Sequence, residues 1–193
     1  AQKFDEAIKK KDVEGAKAAM ATARAEVKTN DDKYYFNSFV LNLSILTNDA
    51  ALQNEALKGM LESGFVPASQ QGQFNTIVAN NELSAKNYDS ALAYAQKAEA
   101  LGYKPDQVAP ILAQAIWGNA KGNPAEVARG LDMFKKGIDA MKAAATPVPS
   151  QWYQVAVQKA SEANLPQIRD WAAMAFDADA SGENLRTILR VLQ

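Results

Sequence analysis

Side-chain amides recur at matching positions of this chain. The stretch YFNSFVLN (35–42) is followed by QFNTIVAN (73–80), in which Phe, Asn, Val and Asn return after 38 residues. Four predicted helical segments align on their leading apolar residues, Phe36, Phe74, Val108 and Trp152. The position six residues further on holds an amide in each, namely Asn42, Asn80, Gln114 and Gln158. An amide donates and accepts hydrogen bonds without adding charge, so such a row suits a peptide backbone or a ligand carboxylate.

A second pair of asparagines, Asn37 and Asn75, also belongs to the repeated phrase. The matching positions in the other two segments are not amides, so this pair is shared by two segments only. One interpretation is that the amides line a groove and bind a protein or peptide partner. They could instead lie at the seam between neighbouring units, bonded to one another or to a turn, or match by coincidence. Under the first interpretation all six amides are candidate partner-binding residues.

Acid–base, nucleophilic and metal chemistry find little support in the sequence. Histidine and cysteine are both absent, which excludes Ser-His-Asp and Cys-His catalysis, disulfides and the usual zinc sites. The adjacent acids Asp31 and Asp32 stand at a predicted helix start, where either can act as a cap. Glu62, Glu99 and Glu126 lie in separate segments. We therefore expect no enzyme, no cofactor and no metal in this segment.

Composition narrows the class of partner. The 193 residues carry a formal net charge of −1, which argues against nucleic acid because such binders need a basic face. No apolar run of about 18 residues occurs, so no membrane insertion is expected. We expect a protein or peptide partner, and the terminal helices are candidates for self-association.

The aromatic residues have a simpler interpretation. Trp117, Trp152 and Trp171 stand at helical spacing beside Ile, Val and Ala, which is typical of a core, with ligand binding as the alternative. Phe65 in SGFVP and Tyr103 in LGYKP are expected to pack at the junctions between helices.

The elements that position these residues are predicted to be helices. Phe36, Phe39, Val40 and Leu43 follow the i, i+3, i+4, i+7 spacing of a helix with one buried face. A second helix is predicted from about residue 49 to 62, and the SGFVP that follows ends it with glycine and proline. LGYKP repeats this signal 38 residues later. A fixed period of this size is typical of a helical repeat array.

The whole chain fits one all-α domain of about five antiparallel helix pairs plus a terminal helix. Approximate units are 1–30, 31–67, 68–105, 106–149 and 150–193. No segment has the alternation of a strand, and no low-complexity linker divides the chain.

At KNYDSALAYAQKAEAL the chain resembles the second helix of a tetratricopeptide repeat. The residues that carry the resemblance are Tyr88, Asp89, Ala91, Tyr94, Gln96, Lys97, Ala98 and Leu101. The small residues Ala16 and Ala23 match in an earlier unit, and Gly130, Phe134 and Gly137 in a later one. The first helices depart from the family pattern and the spacing of 38 residues exceeds the family's shorter repeat, so the resemblance is to a divergent member. A bacterial protein is expected. The resemblance implies a right-handed α-solenoid whose concave face binds peptides or proteins.

Two functions follow as expectations. The first is a non-catalytic adaptor or scaffold that binds a protein segment on the concave face. The alternative is a structural or accessory segment of a larger envelope protein or cell-wall enzyme whose catalytic part is elsewhere. The start, AQKFDEA, looks like a chain already trimmed, which slightly favours a periplasmic or exported protein over a cytoplasmic one. The end lacks a helix stop signal, so extension of the natural chain beyond either end is left open.

Overall fold

The computed structural model describes residues 2–192, without the side chains at positions 183, 187, 191 and 192. Residues 1 and 193, which the first and last sequence units include, lie outside that range. Within it the chain forms only helices and no strand, which confirms the all-α prediction. The helices are α1 (Gln2–Lys9), α2 (Val13–Ala25), α3 (Asn30–Thr47), α4 (Ala50–Ser63), α5 (Ala68–Ser84), α6 (Tyr88–Ala100), α7 (Pro105–Asn119), α8 (Pro124–Ala143), α9 (Ser150–Glu162), α10 (Ile168–Ala178) and α11 (Gly182–Leu192).

Consecutive helices pack against each other along the chain, and α11 packs on both α9 and α10. For reference we group the others into the pairs α1–α2, α3–α4, α5–α6, α7–α8 and α9–α10. We call the earlier member of each pair its first helix and the later member its second helix. Each second helix also packs against the first helix of the next pair, which links the pairs in chain order.

The turn inside each pair contains a non-glycine residue in the left-handed conformation, and in the α7–α8 turn Gly122 follows it with φ of 81°. The non-glycine residues are Lys11, Asn48, Lys86, Lys121 and Asn164, with φ between 47° and 61°. In four of the five turns the next backbone N–H donates to a carbonyl five residues earlier, as Asn87 does to Glu82 at 2.8 Å. This is the bond of the Schellman motif, which ends a helix by reversing the backbone. Four of the five first helices, α1, α3, α5 and α9, therefore end in the same way, and α7 does not.

The cap of α3 differs from the sequence prediction. The helix begins one residue earlier than Asp31, so its N-cap is Thr29, whose Oγ1 accepts a hydrogen bond from the Asp32 amide at 3.1 Å. The Asp32 carboxylate accepts in return from the Thr29 amide at 3.0 Å. Asp32 is thus the distal half of a capping box, and neither Asp31 nor Asp32 is the N-cap.

Small residues allow the helices to approach closely. A Cβ on Gly59 of α4 would lie 2.4 Å from the Asn37 amide of α3, and one on Gly130 would lie 2.2 Å from the Trp117 indole. Alanines fill similar places, and Ala91, Ala95 and Ala98 of α6 are fully buried. The buried core is continued at the C-terminal end by Leu131, Phe134, Tyr153 and Trp171.

Candidate functional site

The four amides of the row lie on four successive first helices. Asn42 is on α3, Asn80 on α5, Gln114 on α7 and Gln158 on α9, and all four residues are exposed. Within the described residues none of them is bonded to another, and Gln158 donates instead to Glu162 at 2.8 Å. The structure therefore does not contain a seam in which these four amides are buried and pair with one another.

Asn37 and Asn75 occupy a different environment. Both are buried, with 7% and 4% of their surface exposed. Each donates its side-chain N–H to the carbonyl one helical turn earlier, Asn37 to Lys33 at 2.7 Å and Asn75 to Gln71 at 2.8 Å. The repeated phrase thus contains two kinds of amide, one inside the helix packing and one at the surface.

Gln114 lines an open groove of about 680 Å³ between α7 and α9. We call this the α7–α9 groove. Its walls include Trp117 of α7 and Trp152, Val155 and Lys159 of α9, and Phe134 of α8 lies beneath. Asn42, Asn80 and Gln158 are not among its lining residues. The volume of the groove is within the range of ligand sites, and its lining is mixed, with polar groups from Ser84, Lys86, Tyr88, Gln114 and Lys159 beside the apolar residues.

The groove exists because α7 and α9 are separated. Within the described residues no Cα atom of α7 lies within 8 Å of one in α9, whereas α5 and α7 pack directly. The helix between them, α8, has 20 residues and is the longest in this part of the chain. The connection that follows, 144–149, contains Pro147 and Pro149, and α9 starts immediately after it.

Three aromatic rings form the floor and sides of the groove. The ring centroids of Trp117 and Phe134 are 5.2 Å apart, and those of Phe134 and Trp152 are 5.0 Å apart. The Trp117 indole N–H donates to the Val127 carbonyl at 3.1 Å, so its polar atom is already bonded. Trp117 and Trp152 are only partly buried, and Val155 is 40% exposed. Apolar surface is therefore open to a ligand here.

The three tryptophans differ in how far they are covered. Trp171 is buried in the core as predicted, with 3% of its surface exposed. Trp117 and Trp152 also touch the core, but the gap between their helices leaves part of each ring uncovered. The available signal was their occurrence in two successive first helices, on the side where Gln114 lies.

The ionic side chains of the groove are both cationic. Lys86 stands at the turn between α5 and α6, and Lys159 lies one helical turn after Val155 on α9. No carboxylate is among the described residues that line the groove. Lys159 pairs with Glu162 at 2.7 Å, and the hydrogen bond from Lys159 holds the pKa of Glu162 below its ordinary value. Lys86 makes no ion pair within the described part of the chain.

A second polar cluster surrounds Glu82 of α5. This carboxylate is 4% exposed and accepts hydrogen bonds from Lys58 at 2.7 Å, from Asn54, and from Asn87 at 3.3 Å. Burial by itself raises the pKa of Glu82, but hydrogen bonds from Lys58, Ser90 and Asn54 outweigh burial and hold it below its ordinary value. The cluster thus connects α4, through Asn54 and Lys58, to α5 and to Asn87 at the start of α6.

The other acids singled out in the sequence have partners as well. Glu62 pairs with Lys33 at 2.6 Å, Glu99 with Lys136 at 2.7 Å, and Glu126 with its neighbour Arg129 at 2.6 Å. No group of acidic residues that could hold a metal ion occurs among residues 2–192 with described side chains. The described helices include none with the length and hydropathy needed to cross a bilayer.

Comparisons with known proteins add no relative. Neither models of known families, nor curated proteins, nor solved structures gave a match to this chain. The resemblance to tetratricopeptide repeats therefore stays a prediction from its residues, and the candidate site is defined by its geometry alone.

Proposed function

We propose that this chain is a non-catalytic module that binds an extended segment of a partner protein along the exposed face of its first helices. The observation that carries the proposal is the α7–α9 groove. It joins uncovered faces of Trp117 and Trp152 to the exposed amide of Gln114. Large aromatic side chains supply much of the binding energy at protein interfaces.

The amide row gives this face a second property. Asn42, Asn80 and Gln114 hold equivalent places on successive first helices, and in a solenoid such places form a line along the stack. Exposed amides in a line can pair with the N–H and C=O groups of an extended peptide, which repeat at regular intervals. Aromatic surface then holds the side chains of the peptide, and the amides hold its backbone.

Exposed apolar residues also occur on α3. Tyr35 is 55% exposed, Ile45 63% and Leu46 39%. Asn42 and Leu46 stand seven and eleven residues after Tyr35, which puts these three on one side of α3, and Ile45 lies about 80° away around the helix. Contiguous apolar surface rimmed by polar residues marks protein contacts, whereas single scattered apolar residues do not.

The architecture we propose is a right-handed, tetratricopeptide-like solenoid with the first helices on its concave face. Support comes from the pairwise packing, from the shared left-handed turn residue and from the small residues of the second helices. In such an arrangement a bound peptide would run across α3, α5, α7 and α9.

Selection from a displayed library of random peptides tests the function. We expect the wild-type chain to enrich a family of sequences, and Val155→Gln to reduce their retention because it replaces exposed apolar surface in the groove. Leu101→Gln is the matched control, since Leu101 is 49% exposed but stands at the end of a second helix. Failure of the wild-type chain to enrich any sequence would contradict the proposal.

A second candidate role is favoured by the C-terminal end. Phe176 is 42% exposed, Leu185 40% and Leu189 50%, and all three lie on α10 and α11. This surface suits self-association, or contact with another part of a larger envelope protein or cell-wall enzyme in which this chain is an accessory segment. Light scattering of the wild-type chain and of the double variant Leu185→Glu/Leu189→Glu tests self-association. If the chain self-associates through this surface, the wild type should have the mass of an oligomer and the double variant the mass of a monomer.

A further inference from the structure

We propose that the α7–α9 groove selects an extended peptide in which an aromatic residue is adjacent to an acidic residue. The inference rests on the peptide-binding function proposed above and adds the chemistry of the ligand. The two parts of the motif come from two separate features of the groove, its rings and its charges.

The aromatic part follows from the arrangement of the three rings. Phe134 is 3% exposed and lies between Trp117 and Trp152, which are both partly open to solvent. A side chain that enters the groove thus meets the indoles from two helices, with Phe134 beneath. Aromatic pairs in stacked or edge-on contact gain stabilisation beyond that of area burial alone. The groove therefore favours a planar ring over a small apolar side chain.

The acidic part follows from the charges. Lys86 and Lys159 are the ionic residues among the described residues that line the groove, and both are cations in a chain whose net charge is −1. Lys159 shares its charge with Glu162, but Lys86 has no carboxylate partner within the described residues. A ligand carboxylate beside the aromatic ring can approach Lys86 without displacing an ion pair. Charge complementarity of this kind contributes mainly to specificity and to the rate of association.

The fold provides a matched control for Lys86. Lys86 and Lys121 are both left-handed residues of the turns inside successive pairs, with φ of 61° and 47°. Lys121 is exposed and is not among the residues that line the groove. Substitution of either lysine by glutamine removes one charge from a left-handed turn residue, although the Lys121 turn continues into Gly122, with φ of 81°, and lacks the Schellman bond that follows Lys86. A difference between the two variants in peptide selectivity therefore reports on the groove and not on net charge.

Fluorescence anisotropy with labelled peptides tests the proposal. The probes are hexapeptides of Gly and Ser with a central Phe-Asp or Asp-Phe pair, together with Phe-Asn, Asn-Phe and Ala-Asp versions. We expect at least one of the acidic aromatic peptides to bind about threefold to tenfold more tightly than its Asn counterpart at low salt, and the Ala version to bind most weakly. Lys86→Gln should abolish the preference for Asp over Asn, and Lys121→Gln should leave it unchanged.

Four outcomes would overturn the proposal, and they have different meanings. Equal binding of Asp and Asn peptides, both weakened by Val155→Gln, removes the acidic selection but keeps the groove as a peptide site. If both Lys121→Gln and Lys86→Gln lose the preference for Asp over Asn peptides, that preference is due to net charge. If no probe binds at concentrations up to about 1 mM while the peptide library yields binders, the aromatic–acidic motif is wrong but the peptide-binding function stands. If the library also yields no binders, both the motif and the proposed function are wrong.

Discussion

Phe134 of α8 and Trp152 of α9 stack with their ring centroids 5.0 Å apart and their planes inclined by 27°. This contact joins α8 to α9. The same indole forms one side of the α7–α9 groove. Trp152 therefore packs on α8 and also lines the groove that we propose as the peptide site, and substitution can separate the two roles.

Replacement of Trp152 by Ala should lower the free energy of unfolding by about 2 kcal/mol, less than for a fully buried tryptophan because part of the ring is exposed. Trp152→Phe keeps an aromatic ring against Phe134 and should cost less. Urea denaturation followed by circular dichroism measures both. Equal losses for the two variants would show that the stacking contact does not stabilise the fold.

Acid should destabilise the chain partly through Glu82. Its folded pKa lies below the ordinary 4.5, so its contribution is present in full above that value and is lost as the pH falls through the folded pKa. Glu82→Gln should therefore reduce the loss of stability below about pH 5. Part of that loss should remain in the variant, because Asp32 and Glu162 also have lowered pKa values. Urea midpoints from pH 7 to 3 provide the measurement.

The control for this prediction is Glu62→Gln, because Glu62 also pairs with a lysine but its side chain is 58% exposed. Exposed pairs contribute little to stability. If Glu62→Gln and Glu82→Gln change the acid dependence by the same amount, the buried cluster has no special role.

The left-handed turn residues predict a stabilising substitution. Lys11 has φ of 55°, a conformation that disfavours residues with a Cβ. Lys11→Gly should raise the free energy of unfolding by about 1 kcal/mol, and Lys11→Ala should not. Asn48→Gly should gain less than Lys11→Gly, since asparagine tolerates this conformation. Thermal unfolding ranks the stabilities of the three variants. If Lys11→Ala stabilised the chain as much as Lys11→Gly, the explanation from backbone conformation would be contradicted.

Close packing between α3 and α4 gives a fourth prediction. A Cβ at Gly59 would lie 2.4 Å from Nδ2 of Asn37, which is buried and bonded to the Lys33 carbonyl. Gly59→Ala should cost about 1–3 kcal/mol because the amide must move. Gly182→Ala is the control, since nothing lies within 4 Å of its Cβ position. In Asn37→Ala, which removes the obstacle, the added cost of Gly59→Ala should shrink.

The helical architecture was accessible from sequence because each helix carries its own local signal. The spacing of Phe36, Val40 and Leu43 predicted α3, and Gly64, which has φ of 78°, predicted the end of α4. The division of the amides was less accessible. Asn37 and Asn42 differ by five residues, or about 140° around the helix, so a wheel separates them but does not say which one faces α4.

The groove itself could not be predicted because it depends on distance between elements. Trp117 and Trp152 fit a core pattern, and only the separation of α7 from α9 leaves them uncovered. The longer spacing before α9 and the prolines at 147 and 149 hinted at irregular packing there. The cluster around Glu82 was missed for a similar reason, since Lys58 and Asn54 are 24 and 28 residues away along the chain.

The central claim is that a peptide binds on the first-helix face at the α7–α9 groove. The most direct measurement is mapping of backbone amide NMR shifts on addition of a peptide obtained by library selection. We predict that the largest changes fall at the end of α5, in α7 around Gln114 and Trp117, and in α9 around Trp152 and Val155, and that Val155→Gln weakens binding about fivefold or more. Changes confined to the second helices, α4, α6 and α10, would contradict the claim.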